Sequence, residues 1–288
     1  MQPSPEAVRA APGRPKRRVL EAPYIPTPSL ALAQEWAETF DEGDRRAFFT
    51  VTGAHQDRAE FYARLGASRE GHQTWLTTSV LTALQDAVER AWLAEDAKPF
   101  MPAWWPPVTA GWGLLWGLVA APDFVVEEPL REMVDRSVSV FHTFFLALWE
   151  IRFTLQEKGD LPEAAGLITS LGTWLRGQPL DALAMANLTR LGIARRLVHE
   201  NERLDVLCFL LTLAAQNGLV SRLHVVFDGI ERADRVRLRE LYTVLQTCGR
   251  WTRLPGMPLG LLLGWNADGA GLGKANAKLV NYIIQGVA

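Results

Sequence analysis

Two cysteines, Cys208 and Cys248, are all that the 288 residues carry. That excludes a disulfide-stapled scaffold, and neither cysteine has metal-ligand spacing around it. The five histidines, His55, His72, His142, His199 and His224, are dispersed and give no H-E-x-x-H pattern. A G-x-S-x-G nucleophile elbow is also missing. Charge of one sign is lacking too: 30 basic residues against 32 acidic leave a net charge of −2. No global field therefore draws the chain to nucleic acid or to an acidic membrane. Long apolar runs are equally scarce. Residues 108–121 are uncharged but short of the ~20 residues a spanning helix needs. Pro102, Pro106 and Pro107 break the stretch before them. Trp104, Trp105, Trp112 and Trp116 crowd this region, which is expected to form a buried core helix. With no leader-like segment in view, both thiols are expected to be reduced and the compartment cytoplasmic.

What is present suits a folded chain: 48% of residues are hydrophobic and 22% charged. Residues 1–28 are the exception. They are rich in proline and carry Arg9, Arg14, Lys16, Arg17 and Arg18, which reads as a disordered basic arm. Residues 29–288 read as one α/β domain with a mostly helical insertion at about 98–200. A helix from Ser29 to about Phe40 precedes a short strand over 47–53, then a helix from about Asp57 to Leu65. A strand over 73–77 and a helix over 79–93 follow. Further helices are expected over 129–157, 164–175, 182–191 (closed by Gly192) and 205–216. Strands are expected at 223–228 and 259–264, with helices at 236–248 and 275–285.

The stretch 223–231, Leu-His-Val-Val-Phe-Asp-Gly-Ile-Glu, stands out. Its apolar run suits a strand buried on both faces of a parallel sheet. Asp228 then sits at the carboxyl end, where open α/β sheets bind ligands. The plain alternative makes Asp228 the N-cap of the next helix. The order of parts resembles the additional-strand branch of P-loop NTPases, which includes AAA+ and signalling ATPases. The resemblance implies that Asp228 is the Mg²⁺ acid and that Asn266, after the last strand, is the polar sensor. Glu231 stands in for the water-activating carboxylate, because Gly229 occupies that carboxylate's usual place. The phosphate loop departs from G-x-x-x-x-G-K-[ST]. At 53–60 only Gly53 survives; Arg58 replaces the second glycine, Ala59 the lysine and Glu60 the hydroxyl. Arg58 is expected to obstruct close backbone approach, while remaining able to contact an anion. A rival glycine-rich loop at 268–275 carries Lys274, but it follows the acid-ended strand.

The segment Trp174-Leu175-Arg176-Gly177, the turn Leu191-Gly192 and the run Leu204-Asp205-Val206-Leu207 lead into that strand. Together they are similar to the ATP-binding proteins associated with BREX phage-defence systems and to their AAA+ relatives. The resemblance covers about residues 30–288 and implies an ATP-driven, DNA-linked role among protein partners. Joined to the altered loop, it yields the expectation of a pseudo-ATPase: a protein- or DNA-linked scaffold binding ATP and Mg²⁺ weakly or not at all. It would have protein partners, with DNA or self-association as further possibilities and no membrane role. Two alternatives stand beside it: an active ATPase using Lys274, and a helical structural or membrane-proximal protein.

Overall fold

The computed structural model describes residues 48–52, 58–59, 62, 74–93, 113–136, 139–220, 223–251, 254 and 256–265. The architecture is mixed and mostly helical, with one small sheet. Strand β1 is Phe48–Thr52. After the helical residues Arg58, Ala59 and Tyr62 comes a single turn, Thr74–Thr77, and then helix α1, Val80–Leu93. Helices α2 (Gly113–Ala120), α3 (Leu130–Asp135), α4 (Val140–Gln156), α5 (Leu161–Leu175), α6 (Ala182–Arg190) and α7 (Glu200–Gln216) follow. Strand β2 (Leu223–Asp228), helix α8 (Arg235–Trp251) and strand β3 (Leu259–Trp265) complete the described chain.

Two compact units emerge. One draws on the described residues up to Leu84, on His224–Thr252 and on those from Leu259; the other holds Gln85–Leu223 and Arg253–Pro258. The first unit contains the sheet, in the order β1-β3-β2. β1 and β3 run parallel, with Phe48 opposite Leu261 and Thr52 opposite Trp265. Leu259, Leu261, Leu262 and Leu263 are buried, as are Val225, Val226 and Phe227 of β2. Such unbroken apolar strands are what a parallel sheet covered on both faces requires.

The second unit is helical, and the middle of α7 is enclosed on every side. Val206 to Ala214 are buried without a break, so no face of that stretch meets water. Around it the caps follow local chemistry. The side chain of Asp160 accepts the Glu163 N–H at 3.0 Å at the start of α5, and Asp181 accepts the Ala184 N–H at 2.7 Å at the start of α6. Helix α2 is apolar all round, and its carboxyl end is closed from outside. The Arg152 guanidinium of α4 donates to the carbonyls of Val119 (3.3 Å), Ala121 and Pro122 (2.8 Å). Those carbonyls have no partner within their own helix, so a side chain from elsewhere must satisfy them. Trp116 is buried in α2, in line with a core helix, whereas Trp104, Trp105 and Trp112 lie outside the described residues. Among the described residues no helix is long and apolar enough to cross a membrane.

Two expected elements differ. The strand over 73–77 is a helical turn, because Trp75 is drawn wholly into the core. Short apolar runs do not fix helix against strand, and tertiary burial decides. The single helix over 129–157 is two. α3 ends where Arg136 turns extended (ψ 93°), and Ser139 starts α4. The Ser139 hydroxyl accepts the His142 N–H at 3.0 Å and donates to the Met133 carbonyl at 2.9 Å. Serine thus satisfies the groups freed on both sides of the break. Cys208 and Cys248 are buried and not joined in a disulfide. The arm 1–28, the helices over 29–40 and 275–285, and the whole rival loop at 268–275 lie outside the described residues.

Candidate functional site

The parallel strands bring their carboxyl ends together, and the site is assembled there. Thr52 of β1 aligns with Trp265 of β3, and the Gly229 N–H, just past β2, donates to the Gly264 carbonyl at 3.0 Å. Asp228 closes β2 and is 4% exposed. Arg58 comes from the helical residues that follow β1 and is 2% exposed. Its Nε donates to Asp228 Oδ1 at 2.7 Å and its Nη2 to Oδ2 at 3.3 Å, a two-pronged pair. The same Nη2 lies 3.9 Å from Glu231 Oε1. Tyr62, four residues after Arg58 and therefore on the same helical face, donates its hydroxyl to Asp228 Oδ1 at 3.1 Å.

The backbone of Asp228 is held as firmly as its side chain. The Trp75 indole N–H donates to the Asp228 carbonyl at 3.0 Å. The Trp75 ring meets Phe227 edge-on, with centroids 5.8 Å apart. Gly264 makes room for the cluster. A Cβ there would lie 2.0 Å from the Tyr62 hydroxyl and 2.2 Å from Asp228 Oδ1. Gly229 has φ of 78°, a conformation that L side chains resist.

Electrostatics follow from burial. Burial by itself lowers the basicity of the Arg58 guanidinium, but the hydrogen bond and charge of Asp228 outweigh it, and the net direction is up. The Tyr62 phenol is pushed well above its ordinary range, first by burial and then by the Asp228 charge. Arg58 and Tyr62 therefore stay protonated as donors to one carboxylate.

Of the sequence-derived site residues, Arg58, Asp228 and Glu231 come together. Gly53, Asn266 and Lys274 lie outside the described residues. Arg58 was expected to obstruct backbone approach while remaining able to contact an anion; the anion it contacts is the protein's own Asp228. Asp228 does not cap the following helix, since that task falls to Asp234, which accepts the Arg237 N–H at 2.8 Å. Tyr62, Trp75 and Gly264 were missed. A glycine inside an apolar strand is a usual sign of close approach, and Gly264, like Gly260, carried that signal. Among the described residues no group of three or more His, Cys, Asp or Glu could hold a metal ion. A Mg²⁺ ion on Asp228 would compete with the Arg58 guanidinium, which bonds both carboxylate oxygens. Compared with protein-family models, curated proteins and solved structures, the chain gives no match.

Arg58→Ala strands a buried carboxylate and should cost about 3–5 kcal/mol in urea unfolding. Replacing both partners, Arg58→Met with Asp228→Leu, should be milder than Arg58→Ala alone; a harsher double variant would mean the pair does more than neutralise itself. Gly264→Ala should lower stability by at least about 1–3 kcal/mol in thermal melts, because two atoms must move to admit the methyl. In alkaline ultraviolet titration the Tyr62 phenol should resist ionisation, and Tyr62→Phe should remove that late component. The phenol binds its proton in the fold but not in the unfolded chain, so stability should fall as pH rises above about 10. That part of the slope should vanish in Tyr62→Phe.

Proposed function

We propose that this protein has a P-loop NTPase-like sheet that has given up nucleotide chemistry and that it serves as a protein- or DNA-linked scaffold. One observation carries the reading: the residue standing in place of the loop's second glycine, Arg58, is buried against Asp228. The strand order β1-β3-β2 supports it, because a further strand lies between the strand leading to the loop and the acid-bearing strand. That agrees with the additional-strand arrangement.

The magnitudes favour the dead site. Freeing Asp228 for Mg²⁺ leaves one or both members of a buried pair exposed to their desolvation cost, about 3–5 kcal/mol. At about 1.4 kcal/mol per tenfold, this alone weakens a nucleotide by roughly a hundredfold to a few thousandfold. Loss of the loop lysine and of the Mg²⁺-binding hydroxyl acts in the same direction. Gly229 adds a backbone argument. Its left-handed conformation disfavours the glutamate that would activate water there, and Glu231 instead lies 3.9 Å from Arg58. The pair gives the sheet end the neutralised, bonded state that a metal and phosphates would otherwise provide. Such a protein acts through its surfaces, with protein partners.

Calorimetry of the purified protein with Mg²⁺-ATP and Mg²⁺-ADP tests this. The expected result is no binding heat at millimolar ligand and no rise in melting temperature. Micromolar binding, with a steady-state ATPase lost in Asp228→Ala, would overturn it.

A further inference from the structure

Helix α8 has two unlike faces. Leu238, Leu241, Val244, Leu245, Cys248 and Trp251 are buried. Opposite them Arg235, Arg239, Gln246 and Arg250 are exposed, with Thr243 half-buried among them. At about 100° per residue these five fall within roughly 80° of the helix circumference. They form one straight stripe about 22 Å long, at ~1.5 Å per residue.

The stripe holds no acid. The nearest carboxylates are turned aside and engaged. Asp234 caps the helix start through the Arg237 N–H. Glu240 is bonded by Arg237 at 2.8 Å and by the Val80 N–H at 3.0 Å. Arg237 is thus consumed by its neighbour, whereas no ion pair among the described residues involves Arg235 or Arg239. An ordinary solvated face interleaves both signs, the more so in a chain whose net charge is −2. Here all three charges are arginines, whose planar forks suit phosphate oxygens.

We propose that the outward stripe of α8 is a docking surface for the phosphate backbone of a nucleic-acid duplex. A straight row of like charges matches a regular linear polyanion, which places one charge per ~3.4 Å along each strand. A membrane surface fits less well. A helix that lies on lipid inserts its apolar face, and that face of α8 is already buried in the protein. The contacts are with the backbone, so recognition is independent of base sequence. The proposal rests on the scaffold reading and names its partner class. The two fail separately, since tight nucleotide binding would leave the stripe standing, and an inert stripe would leave the Arg58–Asp228 pair untouched.

The test is fluorescence anisotropy of the full-length chain with labelled DNA and RNA duplexes of about 20 base pairs, in roughly 50–200 mM salt. The wild type should bind and weaken steeply with salt; the duplex that binds more tightly identifies the nucleic acid. Arg235→Gln with Arg239→Gln and Arg250→Gln should bind at least about tenfold more weakly, with a log–log salt slope shallower by about 2–3. Its melting temperature should stay near that of the wild type, because all three residues are exposed and the Arg250 Nη2 to Thr247 Oγ1 bond that is lost is long, at 3.4 Å. The triple lysine variant should keep most of the affinity. No binding of either duplex at the lowest salt overturns the proposal. So does glutamine-variant binding equal to wild type, or capture by phosphatidylserine vesicles that duplex does not compete away.

Discussion

A buried guanidinium held against a buried carboxylate fixes the sheet end of this protein, and its neighbours are chosen to permit it. Arg58 and Asp228 are 170 residues apart in sequence. Each would be costly to bury alone, so they must be buried together. The pair therefore ties the segment after β1 to the tip of β2 across the intervening strand β3. Tyr62 takes a remaining lone pair of the carboxylate, and Trp75 holds the carbonyl of the same residue. Gly264 then has to be a glycine, since the space where its side chain would stand is filled by those oxygens.

The pair need not add net stability to do this. Buried ion pairs are often no better than well-packed apolar residues of the same size. What the pair supplies is intolerance of alternatives. A strand slipped by one residue would leave two charges in a low-dielectric interior without partners, and a slip also reverses which face each side chain meets. The same intolerance bears on ligand chemistry. A cation recruited to Asp228 competes with a guanidinium already in place at 2.7 Å, so the end of the sheet is electrostatically satisfied as it stands.

Much of this was legible in the sequence. The strands at 223–228 and 259–264 showed as apolar runs between turn residues, the second running on to Trp265 in the structure, and Asp228 showed as an acid ending one of them. The helices around Leu161–Leu175, Ala182–Arg190 and Glu200–Gln216 were readable from their periodicity and ends, although Asp160 and His199 began two of them earlier than the apolar pattern did. The break at Arg136 was hidden because the apolar face continues in register across it, and only the cap at Ser139 marks it. The role of Arg58 was not legible. Sequence spacing placed it in a loop that approaches phosphate, but its partner lies far along the chain, and long-range pairing leaves no local pattern. Trp75 was misread for the same reason. Its burial is decided by Phe227 and the Asp228 carbonyl, and nothing within five residues of it reports them.

The order of the sheet also has a consequence for how the chain comes into being. β1 is residues 48–52, and its hydrogen-bonding neighbour β3 is residues 259–265. During synthesis from the amino end, β3, the strand that pairs with β1, is made only some two hundred residues later. All of α2 to α7 is available for packing before then, and its contacts are largely between helices near in sequence. Loop closure over so long a separation is slow compared with such local packing. An apolar strand waiting that long is a natural client for chaperones, since an unpaired strand edge invites aggregation. Proteolysis meets a related geometry. The short return 253–258 belongs to the helical unit while both its flanks belong to the sheet, so neither unit can be excised as one continuous fragment.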